Sequence, residues 1–278
     1  MKKKNTSFYI NKIWINVLLW ILVIVVIYPL FWIFINSLKT NQNLFINTFN
    51  IPTDPLFSNY VDAWNMGLSG YFLNSIIVGS ISILATVTIG AFCAYGLSRV
   101  ESKWKMMIYY LIIGGLLLSP QSALISLYRI LEFFHIYNTY LAMILPYIAF
   151  RLPFAIFLMY TYFKDFPKEL EDSALIDGCT TFTTFTKIVI PISKPILSTV
   201  SIMTAIFVWN EFLFAMVFLE DSKLYTIPIG LYNFKDALTT NWTVLLAGII
   251  IATVPIIILF LFMSKSFIRG LTEGSVKG

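Results

Sequence analysis

Chemically reactive side chains are scarce in this chain. Its 278 residues include two cysteines, Cys93 and Cys179, and one histidine, His135. That is too little for a His/Cys metal centre, and no metal site is expected. Cys93 lies in an apolar run and Cys179 in a polar loop, which argues against a disulfide between them. No G-x-x-x-x-G-K-[ST] phosphate loop occurs, so the chain cannot cradle ATP by that route. Neither G-x-S-x-G nor H-E-x-x-H is there to support hydrolytic or zinc chemistry. His135 stands alone in a short connector and reads as a solvated side chain. An enzyme working within the membrane is therefore disfavoured. Charge is scarce too: Asp, Glu, Lys and Arg make up 12% of the residues, against about a quarter in a soluble domain.

What is present in excess is apolar surface. Hydrophobic residues reach 58% and aromatic ones 17%, with a mean hydropathy of +0.81. Such a chain hides most of its surface in lipid. A membrane-crossing helix needs about 20 mostly apolar residues, and six stretches qualify: 14–35, 74–97, 104–125, 140–163, 196–219 and 244–263. Pro120 and Gln121 interrupt the end of the third. Lys2, Lys3, Lys4 and Lys12 give the chain a basic start, but the apolar run that follows is too long for a signal sequence and lacks a small-residue cleavage site. It is expected to stay as the first transmembrane helix.

The formal charge of +5 would suggest nucleic acid in a soluble protein; here it marks orientation instead. Lys2, Lys3, Lys4, Lys12, Arg99, Lys103, Lys105, Lys164, Lys168, Lys187, Lys194, Lys265, Arg269 and Lys277 fall on one side of the six spans. Only Lys39, Arg129, Lys223 and Lys235 fall on the other. Basic residues collect on the cytoplasmic side, so both termini and the loop after the fourth span are expected there. Trp14, Trp104, Tyr109 and Tyr140 sit where an interfacial aromatic belt would. Gly79 to Gly90 and Gly114-Gly115 offer small faces for helix packing.

The most polar internal stretch is 166–197. Pro167 stands at a helix start, Glu169, Glu171 and Asp172 load the first turn with acid, and Gly178 stands where a C-cap would. A second helical run, 180–189, is expected to end at Pro191. By spacing alone this is a docking element or an ordinary solvated loop. The order Glu169-Leu170-Glu171-Asp172-Ser173-Ala174, Asp177-Gly178, Phe185, Ile188, Ile190-Pro191 resembles the EAA loop of ABC importer permeases, in which E-A-A is followed by Gly, Ile and Leu-Pro at fixed spacing. Asp172-Ser173-Ala174 replaces Glu-Ala-Ala and Ile190 replaces Leu, keeping acid, small, small and aliphatic. Tyr28-Pro29-Leu30, Asn36-Ser37-Leu38-Lys39, Tyr71-Phe72-Leu73-Asn74-Ser75, Ala94-Tyr95-Gly96-Leu97-Ser98-Arg99, Trp209-Asn210-Glu211-Phe212 and the tail from Gly270 extend the resemblance along the chain, towards the carbohydrate (maltose-type) branch.

The resemblance implies an all-α, six-helix type I ABC importer permease. Residues 1–70 would hold the tail, first span and an outer loop, 71–264 the transmembrane core, 164–195 the coupling loop and 265–278 a cytoplasmic tail. Its partners would be a cytoplasmic ABC ATPase dimer, a second related permease, an extracytoplasmic solute-binding protein, a sugar and membrane lipid, with no nucleic acid. The chain would bind no cofactor, and ATP-Mg would be used by the ATPase. Coupling would fall to Glu169, Leu170, Glu171, Asp172, Ser173, Ala174, Asp177, Gly178, Phe182 and Phe185. Leu170, Ala174, Phe182 and Phe185 would face the partner, Asp172 would be the first choice to pair with a basic residue there, and Gly178 would make the turn.

An ionisable residue inside a span needs a reason. Arg151 lies in the fourth span between Pro146 and Pro153, which are expected to break or kink it, and Asn210 and Glu211 lie in the fifth. These three are candidates for a sugar path. The simpler alternative is that Arg151 pairs with Glu211 to join the two spans. Asn74 is expected to cap the second span. A permease for another small polar solute, and more distantly a secondary transporter, remain open alternatives.

Overall fold

The computed structural model describes residues 6–235 and 240–273, with side chains from 14 to 235 and 240 to 264. All regular structure among the described residues is helical. Among the described residues, four helices are long and apolar enough to cross a membrane, or up to six if each of two bent pairs forms one span.

The chain divides into two units. The first comprises Met1–Leu68 and Asn233–Thr253. Its α1, Thr6–Ser37, is strongly apolar from Trp14 onward, and every residue from Trp14 to Phe31 is exposed. An apolar stretch that no described residue covers suits a lipid environment. Its end is held by a polar knot. The Lys39 ammonium is buried and donates to Asn36 Oδ1 (2.9 Å), the Asn47 carbonyl (2.7 Å) and the Thr48 carbonyl (3.2 Å). Burial pushes its pKa down. Asn59 Nδ2 donates to the carbonyls of Ser37 and Lys39 at 2.7 and 2.9 Å. Two short helices, α2 (Asn41–Ile46) and α3 (Ser58–Ala63), flank this knot.

The second unit comprises Ser69–Tyr232 and Val254–Gly278. Its helices are α4 (Ser69–Arg99), α5 (Lys105–Gly114), α6 (Pro120–Phe133), α7 (Leu141–Lys164), α8 (Lys168–Ile176), α9 (Thr181–Thr184), α10 (Ile190–Ile192), α11 (Lys194–Asn210) and α12 (Leu213–Phe218). α13 (Ile227–Asn233) and α14 (Trp242–Glu273) complete the chain. The centre is formed by α4, α7 and α11 packed on one another. One core gathers Ala91, Ala94, Tyr95, Ala155, Met159, Phe163, Phe185 and Val189. The other gathers Val78, Ala142, Met143, Tyr147, Phe214 and Phe218. Small residues set the spacing: a Cβ on Gly90 would stand 3.3 Å from the Ala155 Cβ, and one on Gly115 would stand 2.9 Å from Pro153. Gly79 and Gly114 have open space there instead.

Several expectations need correction. The third span is two helical pieces, Lys105–Leu117 and Pro120–Phe133, bent by 100°. Leu118 turns extended and Pro120 can only begin a helix. The fifth span is also broken: α11 stops at Asn210, and Glu211 is extended before α12 begins. By contrast, α7 runs unbroken through Pro146 and Pro153, with Pro146 buried and Pro153 seated against Gly115. The run after Gly178 passes Pro191 and continues to Ile192, because its Pro191 sits in the first turn of α10. The Tyr109 ring is packed against the protein core and does not face outward as a belt residue would.

Candidate functional site

The loop 164–195 folds as two short helices around a glycine. α8 follows Pro167 and carries Glu169 and Glu171 in its first turn, where the helix dipole favours acid. It ends when Gly178 adopts φ +84°, and the Cys179 amide bonds back to the Ala174 carbonyl at 3.0 Å. Thr180 then caps α9, its Oγ1 accepting from the Thr183 amide at 3.2 Å.

Glu171 does not point away from the protein. It is buried, and its carboxylate accepts from the Tyr95 hydroxyl at 2.7 Å and from Arg99 Nε at 3.0 Å to each oxygen, with Arg99 Nη2 closing an ion pair. Arg99 Nη1 reaches on to the Phe163 carbonyl at 2.9 Å. Burial alone would raise the Glu171 pKa, but the hydrogen bonds from Arg99 and Tyr95 and the Arg99 charge outweigh it and hold it below the usual carboxylate range. One cluster thus ties α8 to the end of α4 and the last turn of α7. The sequence offered Arg99 as an orientation signal and, together with Tyr95, inside a resemblance.

The apolar candidates divide. Ala174 and Phe185 are buried within the chain's own core, Phe185 with its ring centroid 4.5 Å from that of Tyr95. They hold the loop on the bundle and do not face outward as expected. Leu170 and Phe182 remain 42% and 65% exposed, with Phe182 stacked on Phe92 at 6.2 Å. Glu169, Asp172 and Asp177 are exposed. Ser173 turns its hydroxyl back to the Glu169 carbonyl at 2.9 Å. Asp172, Lys168, Leu175, Thr181 and Thr184 share a cavity of about 250 Å³ with the Tyr95–Arg99–Glu171 cluster. The outward face of the loop is thus acidic at its edge and apolar at its middle.

The intramembrane candidates are not paired with each other. Arg151 stacks over the rings of Phe154 (5.0 Å) and Phe207 (4.9 Å), and its Nη2 makes a long 3.4 Å bond to the Met203 carbonyl. Its Nε is buried without a partner. Glu211 instead accepts from the Tyr147 hydroxyl at 2.7 Å and caps α12, accepting from the Phe214 and Ala215 amides at 2.7 and 3.3 Å. An extended residue before a helix makes its carboxylate a natural cap, so the break in the fifth span and the position of Glu211 are one feature. Asn210 donates to the Ile206 carbonyl at 2.7 Å within its own helix. Asn74 is no cap: it lies within α4, donates to the Lys223 and Tyr225 carbonyls at 2.7 and 2.9 Å, and accepts from the Tyr140 hydroxyl at 2.7 Å.

Three comparisons bear on this geometry. Residues 86–273 match the family described as binding-protein-dependent transport system inner membrane component. The probable ABC transporter permease protein YurM of Bacillus subtilis is 48% identical, over 99% of this chain and 92% of that protein. The trehalose/maltose transport system permease protein MalG of Thermococcus litoralis is 32% identical, over 93% of this chain and 94% of that protein. A chain in the crystal structure of a bacterial ABC transporter involved in import of the acidic polysaccharide alginate has the same fold. It superposes with a TM-score of 0.84 at 22% identity, over 96% of this chain and all of that one.

Proposed function

We propose that this chain, which belongs to the binding-protein-dependent transport system inner membrane component family, carries a sugar or oligosaccharide across the cell membrane by alternating access. ATP is hydrolysed by a separate ATPase dimer seated on loop 164–195, and a second permease subunit and an extracytoplasmic solute-binding protein complete the importer. Both termini lie in the cytoplasm, in keeping with the basic bias. The sugar reading draws support from relatives such as the trehalose/maltose permease.

One observation carries the mechanism: α8 is clamped to α4 by Glu171, Arg99 and Tyr95. The loop is continuous in the chain with α7 on one side and α11 on the other. A push on α8 therefore reaches α4, α7 and α11, the three helices that pack on one another. They tilt together, and access switches. Leu170, Asp172 and Phe182 form the face presented to the ATPase; Ala174, Phe185 and Glu171 hold that face on the bundle. Gly178 supplies the left-handed turn between the two short helices.

Arg151 favours a narrower reading, in which the cargo carries a carboxylate. Its guanidinium has no ion-pair partner among the described residues, and a charge at membrane depth is costly enough to need one. Reconstitution of the complex in proteoliposomes tests both readings. ATP-dependent uptake of a neutral oligosaccharide supports the first, uptake confined to uronate-containing oligosaccharides supports the second, and uptake of neither class with full uptake of another polar solute sinks both.

A further inference from the structure

Where α5 begins and α7 ends, a cavity of about 580 Å³ is bounded by Lys105, Tyr109, Tyr160, Thr161, Lys164 and Asp165. The mechanism above makes no use of it. Its tyrosines are the informative part. Tyr109 and Tyr160 are only 9% and 7% exposed, and their ring centroids lie 4.4 Å apart. Among the described residues neither hydroxyl meets a hydrogen-bond partner, and neither oxygen is among the fully buried unpaired ones, so both open to the cavity. Two donors are therefore held, unused, at the wall of a cavity.

The charges around them complete an anion site. The Lys105 ammonium lies 5.9 Å from the centroid of the Tyr160 ring, and its one hydrogen bond is a long 3.4 Å contact to the Ser98 carbonyl. Lys164 follows Tyr160 by one helical turn and so shares its face of α7. Neither lysine forms an ion pair among the described residues, with Asp165 or any other acid. Two ammoniums against one carboxylate leave the lining positive. Its depth identifies the source of the anion. Lys105 opens the apolar piece Lys105–Leu117 and Lys164 closes the span Leu141–Lys164, and lysines at span ends are where lipid phosphates are met. Exposed Trp104 precedes Lys105 in the chain.

We propose that this cavity holds the headgroup phosphate of an anionic glycerophospholipid. Lys105 and Lys164 balance its charge, and the Tyr109 and Tyr160 hydroxyls donate to its oxygens. The site is independent of the cargo, and it meets the loop 164–195 only at Lys164 and Asp165. A zwitterionic lipid fits less well because its own cation competes with the lysines.

The test uses the chain purified in detergent with its co-purifying subunits. Phosphatidylglycerol and phosphatidylcholine with the same acyl chains are added, and native mass spectrometry reads the lipid retained. Two lysines near a membrane surface predict a preference for phosphatidylglycerol of about tenfold or more. The Lys105→Gln/Lys164→Gln variant should retain both lipids equally, and the Lys105→Arg/Lys164→Arg variant should keep most of the preference, which separates charge loss from misfolding. Tyr109→Phe/Tyr160→Phe should weaken retention while leaving co-purification of the subunits intact. Equal retention of the two lipids by the unaltered chain, or an undiminished preference in the Gln variant, overturns the site. Release of phosphatidylglycerol by millimolar inorganic phosphate overturns the lipid as occupant and assigns the cavity to dissolved phosphate.

Discussion

Arg99 and Glu171 stand 72 positions apart in the chain, yet the guanidinium Nε lies 3.0 Å from both carboxylate oxygens. Their side chains keep only 17% and 10% exposure. A pair this sheltered is a fixed joint, unlike the mobile ion pairs of an open surface, which contribute little. It connects the loop 164–195 to a helix that the loop does not adjoin in sequence.

Breaking the joint should uncouple transport before it prevents assembly. Arg99→Met leaves Glu171 without its counter-ion and should destabilise the fold by roughly 2–3 kcal/mol, below the usual range for fully buried pairs because some solvent remains. We expect uptake to fall by at least about tenfold while the ATPase still co-purifies. Uptake at the native rate in correctly inserted Arg99→Met protein would refute the clamp.

The same pair sets an acid limit. The Glu171 pKa is depressed in the folded chain, so its stabilisation is complete above the unfolded value of about 4.3 and is lost as pH falls through the lower folded value. Melting temperatures of the native chain and of Glu171→Gln should therefore differ at neutral pH and converge under acid. A constant gap across that range would assign the difference to packing.

Gly178 has φ +84° but open space where a Cβ would project. Side-chain bulk is thus no obstacle; the left-handed backbone is, at about 1–2 kcal/mol for an ordinary residue. Asn, which visits that region readily, should keep most of the uptake, while Val should lose much more. Equal activity in Gly178→Asn and Gly178→Val would remove the turn from the mechanism.

Asp172 is exposed and forms no ion pair among the described residues. Asp172→Lys should leave the thermal stability of the isolated chain within about 0.5 kcal/mol, as surface substitutions usually do, while reducing co-purification of the ATPase. Undiminished co-purification would transfer the contact to Glu169 or to the apolar pair Leu170 and Phe182.

Arg151→Gln removes a charge that two phenyl rings hold in place. If that charge meets an acidic cargo, KM for a uronate oligosaccharide should rise several-fold with the ATPase rate unchanged. A uniform loss of assembly and activity would instead give Arg151 a structural role.

The sequence by itself determined the membrane class, the apolar runs, the basic asymmetry and the glycine turn of the loop 164–195. Each of these is a local property: hydropathy over a window, charge near a span end, or a helix start and stop within a dozen residues. Only the tertiary structure decided which face of that loop is available. Glu171 and Asp172 are adjacent acids, indistinguishable in composition, and a turn of 100° per residue sends one onto Arg99 and the other into solvent. The Arg151–Glu211 pairing failed for a related reason. Opposite charges in neighbouring spans suggest a pair, but Glu211 lies at a break where two backbone amides and the Tyr147 hydroxyl need an acceptor. Hydrogen bonds in a low-dielectric interior are short-ranged and demand geometry, so the partner is chosen by the fold and not by the order of the residues.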